Sequence, residues 1–208
     1  MVFSFRFWWL CISKHTEGVP MAQLFATGIY TTIWTLPSPA IKAGIFMNAK
    51  DKFILGFCRL GIAGLSPKAP GTCGTALALV FAPFLFLPFG LTGRVVFLLL
   101  LFVAGSLAAS RGEILLGKKD PGEIVVDELE GIWIAVLPFA FSWTLFIAAF
   151  ALFRFFDIRK PFPIYQSQFW LPAGWGVMID DVIGGLMTML CLMAAAFFGV
   201  PGFSWLGA

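Results

Sequence analysis

The sequence is poor in the residues that many enzymes use for nucleophilic or metal chemistry. It contains one histidine, His15, which lies in an N-terminal part without recognisable motifs. The four cysteines show no CxxC spacing and no metal-ligand pattern, and we interpret them as apolar packing residues. The histidine count excludes a zinc site, a histidine phosphatase and a His-based triad in the body of the chain.

Charged residues are also scarce. They make up 12% of the 208 residues, whereas a typical soluble domain has about 25%. Hydrophobic residues account for 60%, so there is too little polar surface to coat a globule. This composition predicts an integral membrane protein. The net charge of +3 is too small and scattered to indicate nucleic-acid binding, but it suits an anionic membrane surface.

The first part of the chain differs from the rest. Residues 1–48 mix Phe, Trp, Thr and Pro without a sustained period and carry no motif. We interpret them as an N-terminal extension of unassigned role, for which disorder is one expectation. Residues 49–208 are expected to form the membrane domain.

The apolar runs predict an all-α, polytopic fold with short helices. We expect helices at about 75–89 and 95–109, and a last helix at about 180–198. The run 132–153 could be one span, but we favour a hairpin broken near residues 138–142. A hairpin brings the polar residues on both sides of the run to the same membrane face.

This layout places nearly all cations of the domain on one side. By the positive-inside bias that side is cytoplasmic, and the polar site lies there. Arg94 alone lies on the other side. The cations on the shared side are Lys50, Lys52, Arg59, Lys68, Arg111, Lys118, Lys119, Arg154, Arg159 and Lys160.

An acidic segment precedes the hairpin. Residues 120–131 (DPGEIVVDELEG) carry five of the eleven acidic residues and run directly into an apolar stretch. Carboxylates at the mouth of a membrane helix are costly unless they are paired or hold a cation. If residues 123–138 form one helix, Glu123, Asp127 and Glu130 share a face. The alternative is a solvated acidic helix start that favours the helix dipole.

Three further polar clusters adjoin helix ends on the same side. A Gly-rich turn with Lys68, Gly71, Thr72 and Gly74 could bind an anion at a helix N-terminus, or could simply be a rigid helix entry. The segment 154–163 (RFFDIRKPFP) surrounds one aspartate with three cations, which could instead snorkel to the interface. The segment 174–181 ends in two aspartates, for which a plain N-cap is the alternative.

Taken together, these clusters favour phosphate chemistry. Carboxylates without histidine or paired cysteine suit a hard cation, Mg²⁺ first. Magnesium, Lys, Arg and a Gly-rich helix start are the groups that proteins use for phosphate chemistry.

Four segments carry a family resemblance, in matching order and spacing: 64–74 (GLSPKAPGTCG), 126–131 (VDELEG), 153–163 (FRFFDIRKPFP) and 176–181 (GVMIDD). Together they make the region of about 53–200 similar to the phosphatidylglycerophosphatase A family. The resemblance implies a magnesium-dependent lipid phosphatase of the bacterial inner membrane, which converts phosphatidylglycerophosphate to phosphatidylglycerol and phosphate.

The resemblance also assigns roles to residues. It implies that Asp127, Glu128, Asp157 and Asp181 are catalytic, and that these four together with Asp180 are candidate magnesium ligands. Arg154 and Lys160 are the matching basic residues, and with the Gly-rich turn they are the candidate phosphate-binding set. We expect Asp157 to orient Lys160 or to take a metal position.

The nucleophile and the functional class each have an alternative, and two other enzyme classes are excluded. We favour a metal-activated water as nucleophile, and a covalent aspartyl intermediate stays open. A membrane carrier that uses the carboxylates for ion coupling is the alternative from another functional class. The chain lacks the Cys-x5-Arg pattern of cysteine phosphatases and the Asp-Gly-x2-Ala-Arg pattern of CDP-alcohol phosphotransferases.

Overall fold

The computed structural model describes residues 47–203 and 205. The expectation for the N-terminal extension falls almost entirely outside this range. Within it the chain is helical, apart from an isolated bridge between Phe139 and Trp205, and no β-strand forms. The all-α prediction is confirmed for this part of the chain. The helices are α1 (Ala49–Cys58), α2 (Pro70–Leu85), α3 (Leu91–Leu116), α4 (Val126–Ala135), α5 (Trp143–Arg159), α6 (Ile164–Ser167) and α7 (Gly174–Phe197), with a 3₁₀ turn at Ala63–Leu65.

Three helix starts differ from the predicted ones. Helix α2 begins at Pro70 instead of residue 75, because proline fits the first helical position and Ala69 takes a left-handed conformation (φ 51°) before it. Helix α3 has 26 residues, well beyond the predicted 95–109. Helix α7 begins at Gly174 after Ala173, so the N-cap interpretation of Asp180 and Asp181 is wrong.

Helices α3 and α7 are the two in the described part that are long and apolar enough to cross a membrane by length and composition. Helix α2 is apolar but has 16 residues. Many apolar side chains of α2 and α3 are exposed, among them Val80, Phe84, Leu99 and Leu100. These two helices therefore present a broad apolar outer surface.

The hairpin prediction for residues 132–153 is confirmed. Helix α4 ends at Ala135, and α5 begins at Trp143. The turn between them is fixed by Arg94, which is buried and donates from Nη1 to the carbonyls of Leu137 and Phe139, at 2.8 Å each. Arg94 also donates to the carbonyls of Leu87 and Phe89 after α2. One guanidinium thus satisfies backbone carbonyls at two chain reversals.

The centre of the fold is the crossing of α4 and α7. A Cβ on Gly185 would stand 2.3 Å from the carbonyl oxygen of Gly131, so the two backbones are nearly in contact there. Gly131 is also covered by the Phe153 ring of α5. This close approach requires residues without side chains. It fixes how far α4, α5 and α7 are shifted along their axes relative to one another.

Candidate active site

Three buried carboxylates form the centre of the site. Asp127 and Glu128 lie in the first turn of α4, and Asp181 lies in the second turn of α7. One oxygen from each lies within 4.8 Å of the others. The crossing at Gly131 and Gly185 produces this arrangement, because it brings the N-terminal parts of α4 and α7 together.

The cluster is electrostatically costly as it stands. Burial, and then repulsion between neighbouring carboxylates, raises the pKa of Asp127. Burial also raises the pKa of Glu128, and Asp181 and Asp157 add to the effect. The Oε2 atom of Glu128 is buried and has no hydrogen-bond donor in the described part of the chain. A hard divalent cation prefers clustered carboxylate oxygens as ligands, and an oxygen that accepts no hydrogen bond is free to bind it.

Helix α5 brings an arginine to the same place. The Nη1 atom of Arg154 lies 2.5 Å from Asp157 and 3.8 Å from Glu128. Asp157 therefore pairs with Arg154, one helical turn away, and not with Lys160, which was one of the two roles expected for Asp157. This ion pair holds the guanidinium against the edge of the carboxylate cluster.

Lys160 forms a second ion pair beside the cluster. It is the C-cap of α5, in a left-handed conformation (φ 40°) directly before Pro161. Its Nζ lies 2.5 Å from Asp180, which is the residue before Asp181 in α7. Burial disfavours the ammonium, but Asp180, Asp181 and Asp157 outweigh it and raise the pKa of Lys160 above its ordinary value. Lys160 therefore stays protonated beside the carboxylates.

The Gly-rich entry of α2 meets the other clusters at one residue. A Cβ on Gly71 would stand 2.1 Å from Oε1 of Glu128 and 3.0 Å from Nη1 of Arg154. Gly74 packs against Val125, just before α4. Thr72 is half-buried in the first turn of α2, whereas Lys68 is exposed before it. The structure thus brings Gly71 to the carboxylates, and gives Lys68 no salt bridge in the described range.

The acidic segment does not present one continuous face. Glu123 lies before α4 and pairs with Arg59, so the helix that would join it to Asp127 and Glu130 does not form. Glu130 is buried in α4 but is not a member of the carboxylate cluster. The prediction that Glu123, Asp127 and Glu130 share a helical face is therefore wrong, because α4 starts only at Val126.

The two glycines that position the acids are not among the predicted site residues. Gly131 follows the acidic segment, and Gly185 lies within the Gly184–Gly185 pair of an apolar helix. Small residues inside apolar helices indicate close helix crossings, so this signal was present in the sequence.

Comparisons with known proteins place the chain in a family. Residues 56–196 match the family described as PgpA: Phosphatidylglycerophosphatase A. A Haemophilus influenzae protein named phosphatidylglycerophosphatase A is 37% identical over 138 residues, covering 65% of this chain and 84% of that protein. The Escherichia coli protein of the same name is 35% identical over 128 residues, covering 61% and 73%.

A third relative carries a different name. A Bacteroides thetaiotaomicron protein, provisionally named a phosphatidylinositol-3-phosphatase, is 41% identical over 140 residues, covering 64% of this chain and 87% of that protein. No solved structure shows significant similarity to the chain.

Proposed function

The chain belongs to the phosphatidylglycerophosphatase A family, and from this premise we propose that it hydrolyses phosphatidylglycerophosphate to phosphatidylglycerol and inorganic phosphate. The reaction breaks the bond between the terminal phosphorus and the glycerol oxygen. The oxygen of water joins phosphorus, and the glycerol hydroxyl leaves with a proton. The place of this reaction is phospholipid biosynthesis.

The observation that carries this proposal is the meeting of four separate segments at one point. Gly71 of α2, Glu128 of α4, Arg154 of α5 and Asp181 of α7 all take part in the same set of contacts. A metal-dependent phosphatase combines carboxylates that bind the metal with cationic groups that bind the phosphate oxygens. This geometry combines them.

The residues fit a bound Mg²⁺, and Asp127, Glu128 and Asp181 would hold it. Their oxygens are clustered and buried, and Oε2 of Glu128 accepts no hydrogen bond from the described residues. When bound, the ion would supply charge neutralisation and Lewis-acid activation at the phosphate. Asp157 and Asp180, which the resemblance also makes candidate metal ligands, form ion pairs with Arg154 and Lys160.

The other side chains suit phosphate binding and orientation. Arg154 can donate to phosphate oxygens while Asp157 fixes its guanidinium. Lys160 can also donate to phosphate oxygens, held by Asp180. The free N–H groups of the first turn of α2, around Gly71 and Thr72, add donors and a favourable dipole. The attacking water would be oriented by a carboxylate of the cluster.

We further propose that the protein is a multi-pass protein of the bacterial inner membrane, with its site facing the cytoplasm. The two span-length helices, the apolar outer surface of α2 and α3 and the bacterial relatives support this location. The substrate's acyl chains stay in the bilayer, so its terminal phosphate lies at headgroup depth. A site built from the polar ends of α2, α4 and α5 suits that depth.

Phosphate release is the test. The purified full-length protein should release phosphate from phosphatidylglycerophosphate with added Mg²⁺, lose this activity in EDTA and regain it when Mg²⁺ is restored. Phosphatidylinositol 3-phosphate should be assayed in parallel because of the third relative's name. Absence of phosphate release from every lipid phosphate would overturn the enzymatic reading and favour a carrier. Activity retained in EDTA would overturn the metal assignment.

A further inference from the structure

A cleft lined only by apolar residues lies on two of the helices that build the carboxylate site. It has a volume of about 220 Å³ and lies between α2 and α4. Its lining residues are Leu60, Leu77, Ala78, Phe81, Leu85, Leu129 and Trp133. Leu129 of this lining directly follows Glu128 in α4, so the cleft and the carboxylate cluster share that helix.

The cleft and the phosphate end of the site share one face of α2. Gly71, Gly74, Ala78, Phe81 and Leu85 follow one another at intervals of three or four residues, the spacing of a single helical stripe. At the polar end of the stripe Gly71 contacts Glu128 and Arg154, and at the other end the residues line the cleft. From Gly71 to Leu77 the helix rises roughly 9 Å. This distance leaves room for a polar linker between a group bound at Gly71 and an apolar chain in the cleft.

The floor of the cleft is rigid. The Nε1 atom of Trp133 donates to the carbonyl of Ala78 at 2.9 Å, and its ring stacks on Phe86 at a centroid distance of 5.0 Å. Trp133 thereby ties α4 to α2 along the cleft. A surface held in this way is preformed for its ligand and needs no rearrangement to accept one.

We propose that this cleft binds the first part of an acyl chain of the lipid whose phosphate occupies the carboxylate site. The proposal rests on the proposed function and adds a lipid-positioning subsite to it. From Leu77 to Leu85 the cleft extends roughly 12 Å, less than half of a bilayer's hydrocarbon core. The remainder of the chain would continue into the bilayer.

Such a subsite would act mainly by positioning. A chain that moves from bilayer to cleft exchanges one apolar environment for another, so little hydrophobic energy is gained. The gain is that the headgroup is held in register with Arg154 and the carboxylates. Holding remote parts of a substrate in this way raises kcat/KM at the reacting group.

Filling the cleft tests the proposal. Leu77→Trp should lower kcat/KM for diacyl phosphatidylglycerophosphate by roughly tenfold or more, as expected for loss of fit in an apolar pocket. Hydrolysis of the deacylated headgroup, glycerophosphoglycerophosphate, should keep the wild-type rate in this variant. Val80→Trp is the matched control, because Val80 is exposed on α2 but does not line the cleft. It should change neither rate.

Cross-linking gives a readout that does not depend on turnover. The full-length protein in phosphatidylcholine vesicles should be photolabelled with phosphatidylglycerophosphate that carries a diazirine on one acyl chain, and with phosphatidylcholine that carries the same chain. We expect phosphatidylglycerophosphate, and not phosphatidylcholine, to label Leu77, Phe81 and Trp133 preferentially. Equal labelling by both lipids would mean that the cleft holds bulk lipid, and labelling confined to other residues would mean that it holds something else. Either result overturns the proposal.

The two proposals fail in different ways. If the wild-type protein releases no phosphate from phosphatidylglycerophosphate, the proposed function fails whatever the cleft binds. If it does release phosphate but Leu77→Trp and Val80→Trp behave alike on the diacyl lipid, the acyl subsite alone is wrong.

Discussion

At the scale of single residues, the site contains more negative charge than its immediate cations balance. Asp127, Glu128 and Asp181 meet in a buried cluster, while Arg154 and Lys160 are already paired with Asp157 and Asp180. Buried carboxylates without compensation are expensive. The arrangement is therefore destabilising without a cation, and this cost argues for binding over a purely structural role.

The first prediction concerns this cluster. Asp127→Asn or Glu128→Gln should lower the rate of phosphate release by roughly 10²-fold or more, because a ligand of the proposed ion is lost. Glu130→Gln is the matched control, since it neutralises another buried carboxylate of α4 that lies outside the cluster. It should remain active. Near-normal activity of both cluster variants at saturating Mg²⁺ would contradict the metal-ligand role. It would mean that the two acids only stabilise the start of α4.

The second prediction concerns Lys160. Lys160→Ala should lower kcat/KM by at least about tenfold, and Lys160→Arg should recover only part of the loss, because a planar guanidinium does not reproduce a compact ammonium. Arg159→Ala is the control, because Arg159 is the adjacent cation but is exposed and forms no ion pair among the described residues. It should leave both kinetic parameters unchanged.

A double variant separates two explanations of the Lys160 effect. Lys160→Ala also leaves Asp180 buried without its partner, which is harmful by itself. In Lys160→Ala/Asp180→Asn that unpaired charge is removed. If Lys160 contacts the phosphate, the double variant stays impaired, whereas recovery to wild-type kinetics would show that Lys160 serves only to neutralise Asp180.

At the scale of helices, the fold depends on close backbone contact between α4 and α7. Gly131→Ala would place a Cβ 2.5 Å from the Phe153 ring and 2.7 Å from the carbonyl of Asp181. We predict a loss of about 1–3 kcal/mol in unfolding free energy, seen as a lower melting temperature in detergent. Activity should fall with it, because the same contact positions Asp181 beside Asp127.

Gly56→Ala is the control for this prediction. Gly56 lies within α1, and a Cβ there would meet nothing within 4 Å in the described part of the structure. Alanine favours helices over glycine by about 0.5–1 kcal/mol, so this variant should be at least as stable as the wild type. A melting temperature of Gly131→Ala equal to that of Gly56→Ala would contradict the proposed role of the crossing.

Helix boundaries show what could be predicted from sequence and what could not. The break between α4 and α5 was predictable, because Pro138 and the need to bring two polar clusters together both indicate it. The starts of α2 and α7 were not predictable, because glycine and proline are more typical of loops. Pro70 instead occupies the first helical position, and Gly174 begins a helix packed closely against α3.

The candidate site shows a similar division. Asp127, Glu128, Asp181 and Arg154 could be grouped from their residue types and from the polar segments that carry them. Their partners could not, because pairing depends on the rotation of each helix about its axis. Asp157 therefore pairs with Arg154 instead of Lys160, and Glu123 pairs with Arg59 outside the site.

At the scale of the whole molecule, the proposed topology places both long polar connections on one side of the membrane. The structure brings them together: Nζ of Lys119, after α3, lies 5.6 Å from the ring centroid of Phe169, before α7. The Gly174 N–H also donates to Oγ of Ser110, near the end of α3. The turn that Arg94 fixes lies at the opposite end of α3.

The last prediction follows from this geometry. In a cysteine-free background and oriented inner-membrane vesicles, Lys119→Cys and Gln168→Cys should both react with an impermeant maleimide from the cytoplasmic side. Thr92→Cys, at the start of α3 and exposed, is the control and should react only from the other side, because α3 is long enough to cross the bilayer. Labelling of Lys119→Cys and Gln168→Cys from opposite sides would turn the α4–α5 hairpin into a crossing. It would also separate Arg154 and Lys160 from Glu128 and Asp181, and no common site could then form.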